Sequence, residues 1–213
     1  MTIMRPLIHN TLVMMTMLLS LLLMSTTVRS ADIADPQALV ECATAEMLQS
    51  LKDNKVELEQ DPSIIYGLVQ DILMPNFDFG KMSKLALGKN WRKANPEQRE
   101  RFIAEFRLLL VRTYSTAMLE YAGQEIKFLP FHDDVAKKKV KVKMEILQAG
   151  GPSIPMTLSM YLNKEEAWKV YDVKIDGISL VTNYRSTFAT EIRNGGMDKL
   201  IDRLAKRNEK VKT

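Results

Sequence analysis

The stretch Trp168-Lys169-Val170-Tyr171-Asp172-Val173, followed by Gly177-Ile178-Ser179-Leu180-Val181 and then Asn183-Tyr184-Arg185 with Phe188, decides how this chain is read. An aromatic and β-branched run of this kind is a strand, and it passes through a Gly turn straight into an apolar helix. Upstream, the same period of two recurs. Val140, Val142, Met144 and Ile146 alternate with Lys141, Lys143 and Glu145, and Ile154, Met156, Leu158, Met160 and Leu162 alternate with Thr157, Ser159 and Tyr161. Gly150-Gly151-Pro152 and the charged Lys164 to Glu166 supply the turns, and Ile126 to Phe131 reads as one more strand. Hairpins with one wet and one dry face make an antiparallel sheet.

Helices flank this block on both sides. Asp35-Pro36 opens the first, which runs to about Leu51, with Asp as cap and Pro in the first turn. Asp61-Pro62 opens another, with Ile64, Ile65, Leu68, Val69 and Ile72 on its apolar side, ending before Pro75. A short helix spans Phe79 to Leu87, stopped by Gly88. Asn95-Pro96-Glu97-Gln98 combines a cap, a Pro and a Gln placed to reach back. Behind it Phe102, Ile103, Phe106, Leu109, Leu110, Ala117, Met118 and Tyr121 recur at three and four spacing, until Gly123. After the sheet, helices at Ile178 to Arg193 and Met197 to Lys206 are separated by Gly195-Gly196. The fold class is therefore α+β: an antiparallel sheet with one face covered by helices.

The first thirty residues stand apart. Arg5 precedes an uncharged run from Leu12 to Met24, and Val28-Arg29-Ser30 before Ala31 suits cleavage after Ser30 or Ala31. Residues 1–30 are expected to be a cleaved signal peptide, the run being short for a membrane span, and 31–213 a single domain. No Cys stands at the cleavage site to carry a lipid. The net charge is +4, and loss of Arg5 and Arg29 leaves an excess of two. That balance, with an export signal, argues against nucleic acid. Lys137, Lys138, Lys139, Lys141 and Lys143 form one basic run, read either as a solvated sheet face or as a docking patch. The single cysteine, Cys42, shares a helical face with Leu39, Ala43 and Met47 and is expected to be a buried, inert thiol.

Chemistry is hard to find. His132, beside Asp133 and Asp134, is the one His left after the leader, too few soft ligands for a zinc site of the usual kind. There is no Gly-x-Ser-x-Gly elbow and no phosphate-cradling Gly motif. No catalytic residue, metal or cofactor is expected. Trp91-Arg92-Lys93 reads as a packed Trp with solvated neighbours. The dry faces carry Met118, Met144, Met156 and Met160, a flexible residue that suits both an ordinary core and a wall that adapts to a variable guest.

Asp78-Phe79 with Met82, Leu87-Gly88 with Trp91-Arg92, and the long-helix residues Gln98, Phe102, Glu105-Phe106, Leu109-Leu110, Tyr114 and Tyr121 precede the opening stretch in fixed order, and Gly196 with Leu200-Ile201 follows it. In that order and spacing, over roughly Asp35 to Lys206, the chain resembles the MlaC family of periplasmic phospholipid-binding proteins, the toluene-tolerance auxiliary family. The resemblance implies a soluble periplasmic carrier that holds phospholipid as cargo. It implies exchange with the outer-membrane lipoprotein MlaA, which associates with porin, and with an inner-membrane ABC transporter through the MCE-domain protein MlaD, preserving outer-membrane lipid asymmetry. Acyl tails would then occupy an apolar cavity between sheet and helices. The candidate lining is Phe106, Leu110, Met118, Val142, Met144, Ile146, Met156, Leu158, Met160, Val181, Tyr184 and Phe188, with Tyr184 and Arg185 near a mouth. The competing expectations are a periplasmic scaffold or non-lipid binding module with a solid core, and a small α+β enzyme.

Overall fold

A computed structural model of the protein describes residues 35–120 and 123–209; the expected leader and Tyr121 lie outside the described residues. Helix α1 is Pro36–Asp53, and its cap Asp35 accepts from the Gln37 N–H at 2.9 Å. Short α2 (Lys55–Gln60) and α3 (Ile64–Leu68) follow. Where a single helix up to Pro75 was expected, α3 widens into a π turn over Val69–Leu73 and tightens into a 3₁₀ turn over Met74–Asn76. Helix α4 is Phe79–Leu87. Its stop, Gly88, sits at φ +54°, which favours a residue without a Cβ.

Helix α5, Pro96–Glu120, starts with the reciprocal cap its sequence announces. The Gln98 N–H donates to Asn95 Oδ1 at 2.8 Å, and the Asn95 N–H donates to Gln98 Oε1 at 3.1 Å. The strands are β1 (Glu125–Phe128), β2 (Lys139–Leu147), β3 (Ile154–Leu162), β4 (Trp168–Ile175) and β5 (Ile178–Ser179), in one sheet in chain order, all antiparallel. β1 stops at Phe128, short of the expected Phe131. Helix α6 runs Leu180–Glu209 and is broken at Gly196, φ +83° and ψ 175°, so the two expected helices are joined end to end by a backbone geometry that is almost exclusive to Gly.

A register shift in the β3–β4 pairing pairs Ser159 with Asp172 but Met160 with Val170. The extra residue on β4 is a bulge, and it places Val173 rather than Asp172 on the dry face. Asp172 then accepts from Ser179 Oγ at 2.7 Å and from the Val181 N–H at 3.2 Å, holding the first turn of α6. The strand thus passes into the helix through the side chain that the bulge turned outward.

Among the described residues three apolar clusters form. One is made of helices alone, with Phe102, Phe106, Phe188, Leu200, Ile201 and Leu204 of α5 and α6 packed on Met82, Ala86 and Leu87 of α4. A second belongs to the sheet, from Val140 and Val142 to Trp168 and Val170, with Val40 of α1. The third joins Met47 and Leu51 of α1 to Leu58, Ile65, Val69 and Val111. Cys42 is exposed, contrary to expectation: α1 turns Val40, Met47 and Leu51 inward, and the thiol lies off that stripe.

Candidate functional site: an apolar cavity between sheet and helices

The sheet does not fill its helical cover. Between them lies a cavity of about 430 Å³, within the ~300–1,000 Å³ range of small-ligand sites. Among the described residues, no charged one lines it. The polar side chains on its wall are Thr44, Asn76, Tyr114 and Ser115. Methionines of α1, the 3₁₀ turn, α4, α5 and the sheet (Met47, Met74, Met82, Met118, Met144, Met156 and Met160) make much of the rest. A wall rich in unbranched thioethers can follow the shape of a flexible guest.

Of the residues expected to line it, Leu110 and Met118 come from α5, and Met144, Ile146, Met156, Leu158 and Met160 from β2 and β3. The other candidates lie elsewhere. Phe106, Tyr184 and Phe188 are packed on one another, Phe188 edge-on to Phe106 at 5.5 Å and stacked on Tyr184 at 5.3 Å. With Val181 they belong to the helix-only cluster. Val142 is fully buried in the sheet's own cluster. These five correct the expected lining: aromatic side chains on the inner stripes of two packed helices fill one another's space and leave no wall. Arg185 is not among the lining residues either. Its guanidinium Nε donates to the Leu85 carbonyl at 2.8 Å, satisfying a free acceptor at the end of α4.

The wall that sequence reading missed is α1 and the segment after α3. Leu39, Val40, Ala43, Thr44, Met47, Leu48 and Leu51 present one whole face of α1 to the cavity, and Val69, Leu73 and Met74 come from the π and 3₁₀ turns. The signal in α1 was its apolar spacing from Leu39 to Leu51.

Around the cavity, polar contacts hold the frame. Asp78 caps α4 through the Lys81 N–H at 2.7 Å and accepts a hydrogen bond from the Tyr161 hydroxyl. The Lys81 ammonium rests 3.0 Å from the Tyr161 ring centroid. Burial, with the Asp78 hydrogen bond and charge, pushes the Tyr161 phenol up to about 12, and burial lowers Lys81, with Lys139 nearby acting in the same direction against Asp78. Tyr114, on the cavity wall, is pushed up to about 12 by burial and by Tyr184 beside it. All three shifts favour neutral forms. Nothing in this set pairs a placed acid or base with a nucleophile facing the cavity. Trp91 packs on the helix cluster under the Arg99 guanidinium, with Arg92 and Lys93 exposed, and His132 is exposed. Among the described residues no group of three or more His, Cys, Asp or Glu could hold a metal, and no helix is long and apolar enough to cross a membrane.

Known proteins are similar to this chain. The toluene tolerance protein ttg2D of Pseudomonas putida is 33% identical over 170 residues, covering 78% of this chain and 78% of its own. The intermembrane phospholipid transport system binding protein MlaC of Haemophilus influenzae is 25% identical over 172 residues, covering 79% and 80%. A solved phospholipid-binding protein from Ralstonia solanacearum, in complex with a phospholipid, superposes with a TM-score of 0.76 at 28% identity, over 84% of this chain and all of its own. The model of the MlaC protein family matches residues 41–206, and the chain belongs to that family.

Proposed function

We propose that this protein carries phospholipid, with acyl tails in the cavity and the headgroup in solvent. The observation that carries the reading is the cavity: about 430 Å³, with no charged residue among the described ones on its wall. Exposing a tail to water costs about 0.8 kcal/mol per CH₂, so two chains in water represent something like 20 kcal/mol. A carrier that offers apolar wall in place of water removes most of that barrier. The phospholipid held by the Ralstonia neighbour and the transport role in the Haemophilus relative's name support the same reading. A solid-core scaffold does not fit a cavity of this size.

The finer parts of the proposal follow from the family. Residues 1–30 direct the chain to the periplasm and are removed. There the mature domain exchanges lipid with MlaA and its porin on one side and with the ABC transporter bearing MlaD on the other, which maintains outer-membrane lipid asymmetry. The contacts to the tails are made by Leu110, Met118, Met144, Ile146, Met156, Leu158 and Met160. Because the described residues of the wall offer no charged partner for a phosphate, headgroup discrimination is weak; affinities differing more than a hundredfold between zwitterionic and anionic lipids would contradict that. The decisive experiment is lipid extraction and mass spectrometry of protein expressed with its own leader and purified without detergent. Phospholipid in near-stoichiometric amount supports the proposal. Repeated absence of any lipid removes it.

A further inference from the structure

Along the strands, burial on the cavity face falls in one direction. Val140, Leu162 and Trp168 at one end are buried, whereas Ile146, Ile154 and Ile175 at the other are half-buried and line the cavity. One cross-strand row continues past the cavity altogether. Phe128 pairs with Met144, Met144 with Met156, Met156 with Ile175, and Ile175 with Ile178. Directly opposed residues of an antiparallel sheet share a face. Ile178 therefore stands on the cavity side of the sheet, next to a lining residue, yet it is 60% exposed.

A single exposed Ile is ordinary on a protein surface. This one is held in place by the structure around it. The turn before it has Asp176 at φ +49° and Gly177 at φ +78°, and the Asp176 N–H donates to the Pro155 carbonyl at 2.9 Å. The residue after it, Ser179, donates to Asp172 at 2.7 Å. Its neighbour Leu180 is buried and lines the cavity. The exposed side chain is thus flanked on both sides, through Ile175 and Leu180, by cavity wall.

We infer that Ile178 is the lip of the cavity, the residue over which an acyl chain passes on its way in or out. This rests on the proposed carriage of phospholipid and adds a route to it. A tail leaving Met156 and Ile175 meets Ile178 before it meets water, so the apolar surface it slides on extends beyond the holding site. A carboxylate at this position interrupts the track at its outer end without touching the wall inside.

The test separates passage from holding. Protein loaded with a fluorescent-tailed phosphatidylcholine is mixed with acceptor vesicles of phosphatidylethanolamine and phosphatidylglycerol, and the transfer rate is followed. Lipid per protein is measured in parallel by mass spectrometry. Ile178→Asp should load as the wild type does and transfer about tenfold more slowly, equal to about 1.4 kcal/mol on the barrier. Ile178→Leu should restore the rate, and Val135→Asp, at another exposed apolar residue away from the row, should leave it unchanged. Transfer by Ile178→Asp at the wild-type rate overturns the inference. So does loss of loading in a folded Ile178→Asp, which would make the residue part of the holding site. A wild type that carries no phospholipid overturns the carrier reading as well, and the mass spectrum shows this before any rate is measured.

Discussion

Phe188→Ala separates frame from cavity. The Phe188 ring is 1% exposed, edge-on to Phe102 at 5.3 Å and to Phe106 at 5.5 Å, and stacked on Tyr184 at 5.3 Å. Truncating a buried Phe to Ala costs about 3–5 kcal/mol, transfer and residual cavity together. Here the higher part of that range is expected, because three aromatic partners converge on one ring and each pair contributes about 0.5–1.5 kcal/mol of geometry-dependent attraction. The loss is a large share of a typical total of roughly 5–15 kcal/mol. For a domain of this length, about 2–4 °C per kcal/mol gives a fall in Tm of roughly 6–20 °C. The assay is thermal unfolding by circular dichroism, paired with lipid content by mass spectrometry at a temperature where the variant is fully folded. Phe188 does not line the cavity, so the folded variant should carry lipid at the wild-type level. A folded Phe188→Ala that loses its lipid, with Tm lowered by less than about 2 °C, would refute the division between helix core and cavity wall.

Met144→Glu should do the reverse: Met144 lines the cavity, and a carboxylate there must stay solvated or take up a proton, so lipid loading should fall at least tenfold while the far-ultraviolet spectrum is kept. Unchanged loading would remove Met144 from the tail contacts. Gly196→Ala forces a Cβ onto φ +83°, ψ 175°, a strain of about 1–3 kcal/mol that should lower Tm by several degrees; an unchanged Tm would mean that the junction relaxes into continuous helix. Stability should also fall as pH rises through 10 to 12. Tyr114 and Tyr161 have folded values raised to about 12. The unfolded phenols lose their protons first, near 10, so the stabilising preference for the neutral form is complete below pH 10 and is lost as pH approaches the folded values. Tyr114→Phe should flatten part of that decline in urea titrations; an identical pH slope would show that Tyr114 contributes nothing to it.

Local chemistry made the frame legible. Asp35-Pro36 and Asn95-Pro96-Glu97-Gln98 begin helices because their side chains satisfy free N–H groups within three residues, and the Lys141/Val142/Lys143/Met144 alternation fixes a sheet face without reference to distant contacts. The division between cavity wall and core was less legible. A wall and a core both require apolar side chains at the same spacing, and they differ only in the volume left between elements. That volume depends on how α1 sits against the sheet, which no local pattern specifies. Phe106, Tyr184 and Phe188 looked like wall because they are large and apolar; they became core because α5 and α6 face each other. The bulge that sends Asp172 to the start of α6, and the π turn that brings Val69 and Leu73 to the cavity, leave no mark in a strict period of two or 3.6.

The helix-only cluster of α4, α5 and α6 has a further consequence. It gives the molecule a keel whose cohesion does not depend on what the hold contains. Amides along the middle of α5 and the second half of α6 should resist solvent exchange alike in laden and unladen protein. Those of α1, whose inner face borders the hold as well as two of the apolar clusters, should open more readily when the hold is empty. On the proposed carriage of phospholipid, uneven cohesion of this kind lets the protein give up its passenger repeatedly without risking its own shape.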